Sequence, residues 1–163
     1  MSDATDNAVN GQSAGQPQSP VTLNGQYLKD LSFGVPNAPG IFGEIDRPPE
    51  VTVSVNVEAR RYGENTFEGI LLLNVEGKLK EKTAFIVEVT YCALVTLHMP
   101  EEHIEPFLMI EVPRLVFPFA RAIIADATRD SGFPPLVITP IDFVALYRQR
   151  LAQAQEATQA GHA

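Results

Sequence analysis

At 163 residues with 45% apolar side chains, the chain is long enough for one domain with a real hydrophobic core. Its formal charge of −8 argues against nucleic acid or an anionic membrane as a main partner. No apolar run approaches the ~20 residues of a membrane span, which predicts a soluble protein without direct membrane insertion. The single cysteine, Cys92, excludes an internal disulfide framework and suits a reducing cytoplasm.

The first stretch, MSDATDNAVNGQSAGQPQSP, has neither the basic start nor the apolar segment of a signal peptide. It holds no Lys, Arg or aromatic side chain, so residues 1–20 are expected to form a disordered tail. A weak alternation in VTLNGQYLKDLSF predicts a first strand from Val21 to Phe33. In VTVSVNV, Val51, Val53, Val55 and Val57 share one face, the period-two signature of a strand with one covered side. FEGILLLNVE repeats the pattern with Phe67, Leu71, Leu73 and Val75. The longest candidate, AFIVEVTYCALVTLHM, puts Phe85, Val87, Val89, Tyr91, Ala93, Val95, Leu97 and Met99 on one face, with Ile86, Glu88 and Cys92 on the other. At ~3.3 Å per residue it spans ~50 Å. Short turns between the later strands predict an antiparallel meander, and the overlong fourth strand is expected to offer an edge to a second subunit.

The period changes after Met99. PEEHIEPFLMIEV places Glu101, Glu102 and Glu105 in a first helical turn, and PRLVFPFARAIIADATRD continues the helix with kinks expected at Pro113 and Pro118. Gly132 stands where a helix C-cap belongs. Thr139 reads as the next N-cap with Pro140 as first helical residue, and Phe143, Tyr147 and Leu151 form the stripe of a final helix. AQAQEATQAGHA carries no large apolar group, so residues 152–163 are expected to be a flexible tail. The fold class is α+β, a four-stranded antiparallel meander followed by two helices, in one domain over residues 21–151. The first helix is apolar nearly all round, Phe117 and Ile124 included, and a helix on one sheet face needs only a stripe. The surplus predicts an oligomer.

The constellations offer little chemistry. His98, His103 and His162 have no metal-site spacing, and Cys92 reads as a buried, inert thiol. Glu101, Glu102 and Glu105 read as solvated helix-terminus carboxylates, so neither catalysis nor a cofactor is expected. Glu88 is the one charge on the fourth strand. It is either a lone solvent-facing glutamate or, with Ile86, part of a flat surface for a basic partner.

DSGFPPLVITPIDF, residues 130–143, is rich in large apolar groups, yet Pro134, Pro135 and Pro140 forbid regular strand or helix pairing. DLSFGVPNAP (residues 30–39), AFIVEV (84–89), RLVFPFAR (114–121) and GFPPLVITPIDFVAL (132–146), in this order, resemble the SecB family of bacterial protein-export chaperones over residues 22–151. The resemblance implies a homotetramer, a dimer of dimers, with sheets pairing across a dimer interface and first helices packed between two eight-stranded sheets, Phe117 and Ile124 among them. It implies ATP-independent binding of unfolded preproteins in the cytoplasm and their delivery to the SecA motor ATPase. The positions matching the family's SecA-docking surface are Asp30, Ile86 and Glu88; Gly34 stands where the family often has a glutamate. The proline-rich loop and SFGVPNAPGIF are then expected to frame a client groove lined by Phe33, Phe42, Val51, Val53, Leu136, Val137, Phe143 and Tyr147, unless these loops merely cover the core edge. A small-molecule pocket in the same groove, or a purely structural oligomerisation module, are the rival readings.

Overall fold

The computed structural model describes residues 19–161. The expected N-terminal tail lies outside them except for Ser19 and Pro20, which lead into the first strand. Strands β1 (Val21–Gly34), β2 (Glu50–Arg61), β3 (Thr66–Leu79) and β4 (Lys82–Leu97) form one antiparallel sheet in the order β1-β4-β3-β2. The last three make the meander that their short turns demand. β1 is carried to the far side by residues 35–49, and it pairs with β4 along almost its whole length. β4 therefore has both edges filled and offers none to a second subunit, contrary to the sequence expectation. Its length is matched instead by two 14-residue neighbours. The free edges belong to β1 and β2.

The register keeps every alternating set on one side. Leu71 faces Tyr91, Leu73 faces Val89 and Val75 faces Val87, and this face is buried under the helices. Helix α1 (Glu101–Pro106), a π-helical turn (Phe107–Glu111) and α2 (Val112–Asp130) run end to end. The π turn falls just before Pro113, whose ring would otherwise crowd the carbonyl four residues back at Met109. Helix continues unbroken through Pro118.

Val112, Val116, Ala120 and Ile124, spaced by four, form the stripe that α2 buries on the sheet. Ile124 and Phe117 are thus consumed within the protomer, which corrects their expected place at an oligomer interface. Phe117 meets Phe143 edge-on at 6.1 Å. The outward surface of α2 is carried by Leu115 and Phe119, 45% and 46% exposed.

Gly132, at φ 94°, closes α2 as the sequence predicts. Its N–H bonds to Arg129 O and that of Phe133 to Thr128 O, the paired 5→2 and 6→1 bonds of a Schellman cap. Helix α3 (Phe143–Ala160) starts later than expected: Asp142, not Thr139, is its N-cap, accepting the Ala145 N–H at 3.0 Å. The chain stays non-helical from Thr139 to Ile141, so Thr139 has no first-turn amides to accept. α3 also extends to Ala160, past the expected start of the tail at residue 152, on Ala, Gln and Glu residues of good helix propensity.

Candidate client groove and docking face

Pairing sets Phe33, Val87, Val75 and Val53 side by side across all four strands on the helix-covered face. The next row holds Phe85, Gly77 and Val51. The Phe85 ring lies over Gly77, where a Cβ would stand 2.6 Å from it, so only glycine admits the ring. From there the aromatic floor continues off the sheet. Phe85 stacks on Phe33 at 6.1 Å and meets Phe133 at 5.2 Å, and Phe133 meets Phe42 at 5.2 Å. The rings of β1, β4, the proline loop and the β1–β2 connection thus form a chain, with Phe85 and Phe133 buried, Phe33 half-buried and Phe42 exposed.

Cover over β2 thins along the strand. Val57 is buried and Val55 half-buried, whereas Val53 and Val51 are exposed. Tyr147 lines a second groove between β2 and α3, with Val55, Val57, Met109, Leu146 and Arg150. Arg150 Nη1 donates to the Val57 carbonyl there. Of the proline-loop positions, Val137 is 68% exposed and Leu136 half-buried. Phe143 is 1% exposed and belongs to the core, a correction to its expected groove role, because the first turn of α3 drives it against Phe117. Between Pro134 and Ile141, among the described residues, the one hydrogen bond runs from Leu136 N–H to Thr128 Oγ1 at 2.9 Å. The amides of Val137, Ile138 and Thr139 have no such partner.

On the opposite face, β1 beside β4 puts Asp30, Ser32 and Gly34 opposite Thr90, Glu88 and Ile86. Asp30, Ile86 and Glu88 therefore share one surface, and all three are exposed. A Cβ at Gly34 would meet nothing within 4 Å, so this position lacks a charge but not room for one. Sequence reasoning missed a neighbouring cluster on the same face. Tyr27 donates to Glu68, and Lys29 pairs with Glu68 at 3.0 Å. The Tyr27 bond holds the Glu68 carboxyl below the ordinary carboxylate range, with Lys29 assisting. Burial, then the bond and charge of Glu68, raises the Tyr27 phenol. Beneath them Cys92 is fully buried, its thiol pushed up to about 11 by desolvation. The cluster was invisible in the sequence because it depends on the β1–β4 register.

A third surface is apolar. Leu23, Leu28 and Leu31 on the helix side of β1 are exposed, as are Leu115 and Phe119, and Phe119 stacks on Tyr91 at 6.1 Å. Among the described residues no cluster of His, Cys, Asp and Glu is built to hold a metal, and no helix is long and apolar enough to cross a membrane.

A four-stranded antiparallel sheet with helices on one face is the fold of SecB-like chaperones. The SecB-like chaperone of Mycobacterium tuberculosis, solved in complex with a ChAD peptide from the HigA1 antitoxin, superposes with a TM-score of 0.64 at 13% identity, covering 75% of this chain and 91% of that one. The family model described as preprotein translocase subunit SecB matches residues 14–154. The protein-export protein SecB of Rhodospirillum rubrum is 56% identical over 149 residues, 91% of this chain and 93% of that relative. That of Paramagnetospirillum magneticum is 50% identical over 132 residues, 80% and 85% of the two chains. The chain belongs to the SecB family, the protein-export chaperones, which are not an enzyme class.

Proposed function

We propose that the protein is an ATP-independent chaperone of the cytoplasm that holds unfolded precursor chains in its open groove and hands them to the SecA motor ATPase. The observation that carries this reading is the exposed apolar surface of Phe42, Val51 and Val53 with half-buried Phe33, backed by the buried Phe85 and Phe133 rings, together with a loop whose amides from Val137 to Thr139 have no backbone partner. An extended chain finds there both apolar anchors and backbone partners, which binds many sequences without selecting one. The named relatives favour this over a closed small-molecule pocket.

Delivery runs through the polar sheet face, where Glu88 and, one row further on, Asp30 follow the exposed Ile86 and suit a basic partner surface. The working unit is a homotetramer, a dimer of dimers. Its support is the apolar flank of Leu23, Leu28, Leu31, Leu115 and Phe119, which a lone protomer would leave in water. No cofactor, metal or nucleic acid takes part, and no reaction is catalysed.

The test is a titration with reduced, carboxymethylated α-lactalbumin, a permanently unfolded chain, with the native disulfide-bonded protein as control. Tight binding of the unfolded form and none of the native form is expected. Equal affinity for both forms, or for neither, overturns the reading.

A further inference from the structure

Thr128 grips the proline loop twice. Its backbone carbonyl accepts the Phe133 N–H at 3.1 Å, and its hydroxyl accepts the Leu136 N–H at 2.9 Å. Between the two gripped amides stand Pro134 and Pro135, which have no amide hydrogen to give. The hydroxyl hydrogen goes in turn to the Ile124 or Ala125 carbonyl, each 3.0 Å away, so Oγ1 has both a donor and an acceptor role filled and its direction is fixed. Thr128 is 0% exposed and, among the described residues, is the buried polar residue of an otherwise apolar core. A valine would fill the same volume without a polar atom to desolvate. The helix needs no hydroxyl at this point; the loop does. Beyond Leu136 the loop is held by side chains alone, Ile138 turned into the core and Val137 out of it.

We propose that Thr128 is the positioning residue of the client groove: its hydroxyl sets where Leu136 and Val137 stand, and thereby how long an extended chain is held. This rests on the reading that the loop lines the groove. Three variants of the full chain separate the possibilities: Thr128→Val, which deletes the hydroxyl, Thr128→Ser, which restores it, and Val137→Glu, which alters the groove without touching the tether. Two readouts are taken, amide exchange at Leu136 in the free protein and release of carboxymethylated α-lactalbumin. In Thr128→Val, Leu136 exchange is expected to quicken by about tenfold or more and client release several-fold, with Thr128→Ser returning both toward the native values. Should Thr128→Val not fold, Thr128→Ala carries the same comparison. Unchanged Leu136 exchange removes the tether and overturns the inference. Faster exchange with unchanged release, while Val137→Glu still speeds release, overturns the inference alone. If Val137→Glu also leaves release unchanged, the groove reading falls and the inference with it.

Discussion

Phe42 lies against Phe133 with ring centroids 5.2 Å apart, joining two loops across 91 positions of the chain. The contact depends on Gly132, whose absent side chain leaves the space that the Phe42 ring occupies. A Cβ there would stand 3.0 Å from the ring, on a backbone at φ 94° that L side chains rarely adopt. Gly132→Ala is expected to cost roughly 1–2 kcal/mol in denaturant unfolding. It should also loosen Phe42, read as increased mobility of its ring signals. An unchanged midpoint would show that the loop relaxes freely and that the aromatic floor is not a fixed unit.

Burial separates two residues that the sequence had put together. Phe143→Ala empties a fully packed site and should cost roughly 3–5 kcal/mol. Val137→Ala removes an exposed side chain and should change stability by less than about 0.5 kcal/mol. Affinity for an unfolded chain should follow the opposite order once only the folded fraction is counted. Client binding that is insensitive to Val137 while stability is not would make the loop a lid on the core.

The assembly prediction moves to different residues for the same reason. The native protein should scatter light as a species of about 71 kDa, four times the 17.8 kDa chain. Leu115→Glu with Phe119→Glu should yield smaller, folded species. Ile124→Glu buries an unpaired charge inside the protomer, at a cost of several kcal/mol, and should unfold it. A native monomer at micromolar concentration would refute the tetramer.

Docking is testable in both directions. Glu88→Lys should weaken SecA binding, leaving assembly and client affinity intact, and Asp30→Lys should act likewise. Gly34→Glu should strengthen it, since the position is open and the new charge joins the acidic face. All these affinities should fall as salt rises. Binding indifferent to Glu88 and to ionic strength would place the docking surface elsewhere.

The strands were legible because alternation is a local signal: the valines from Val51 to Val57 and the run from Phe85 to Leu97 state their faces without help from the rest of the chain. Strand order was not, because nothing in VTLNGQYLKDLSF says which edge it will join. That one unknown hid the Tyr27–Glu68 contact and made β4 look like an edge. In α2 the composition correctly announced surplus apolar surface, but it could not say that Phe117 would turn inward and Phe119 outward. That division is set by the helix phase against β3 and β4, a tertiary fact. Thr139 failed as a cap because a competing Asp142 stood nearer the first apolar turn, and local chemistry alone does not rank them.

The Tyr27–Glu68 bond makes stability depend on pH at both ends. Glu68 has its carboxyl lowered from 4.5 in the folded chain, chiefly by the Tyr27 hydroxyl. Its contribution is present above the ordinary carboxylate range and is lost as pH falls through the lowered value. Tyr27 is raised from 10.0, chiefly by burial, so its contribution is complete below pH 10 and is lost as pH climbs toward the raised value. Tyr27→Phe removes the hydroxyl and with it the largest influence on Glu68. The stability gap between native and Tyr27→Phe proteins should therefore be widest across neutral pH, and should narrow on acidification below the carboxylate range and again above pH 10. Alkaline titration of the folded protein should find Tyr27 still neutral past pH 10, together with Tyr147, which burial and then the charge of Glu105 also raise. A gap that stays constant from acid to alkaline pH would mean that the phenol and the carboxylate do not share a hydrogen bond in solution, and that Lys29 alone holds Glu68.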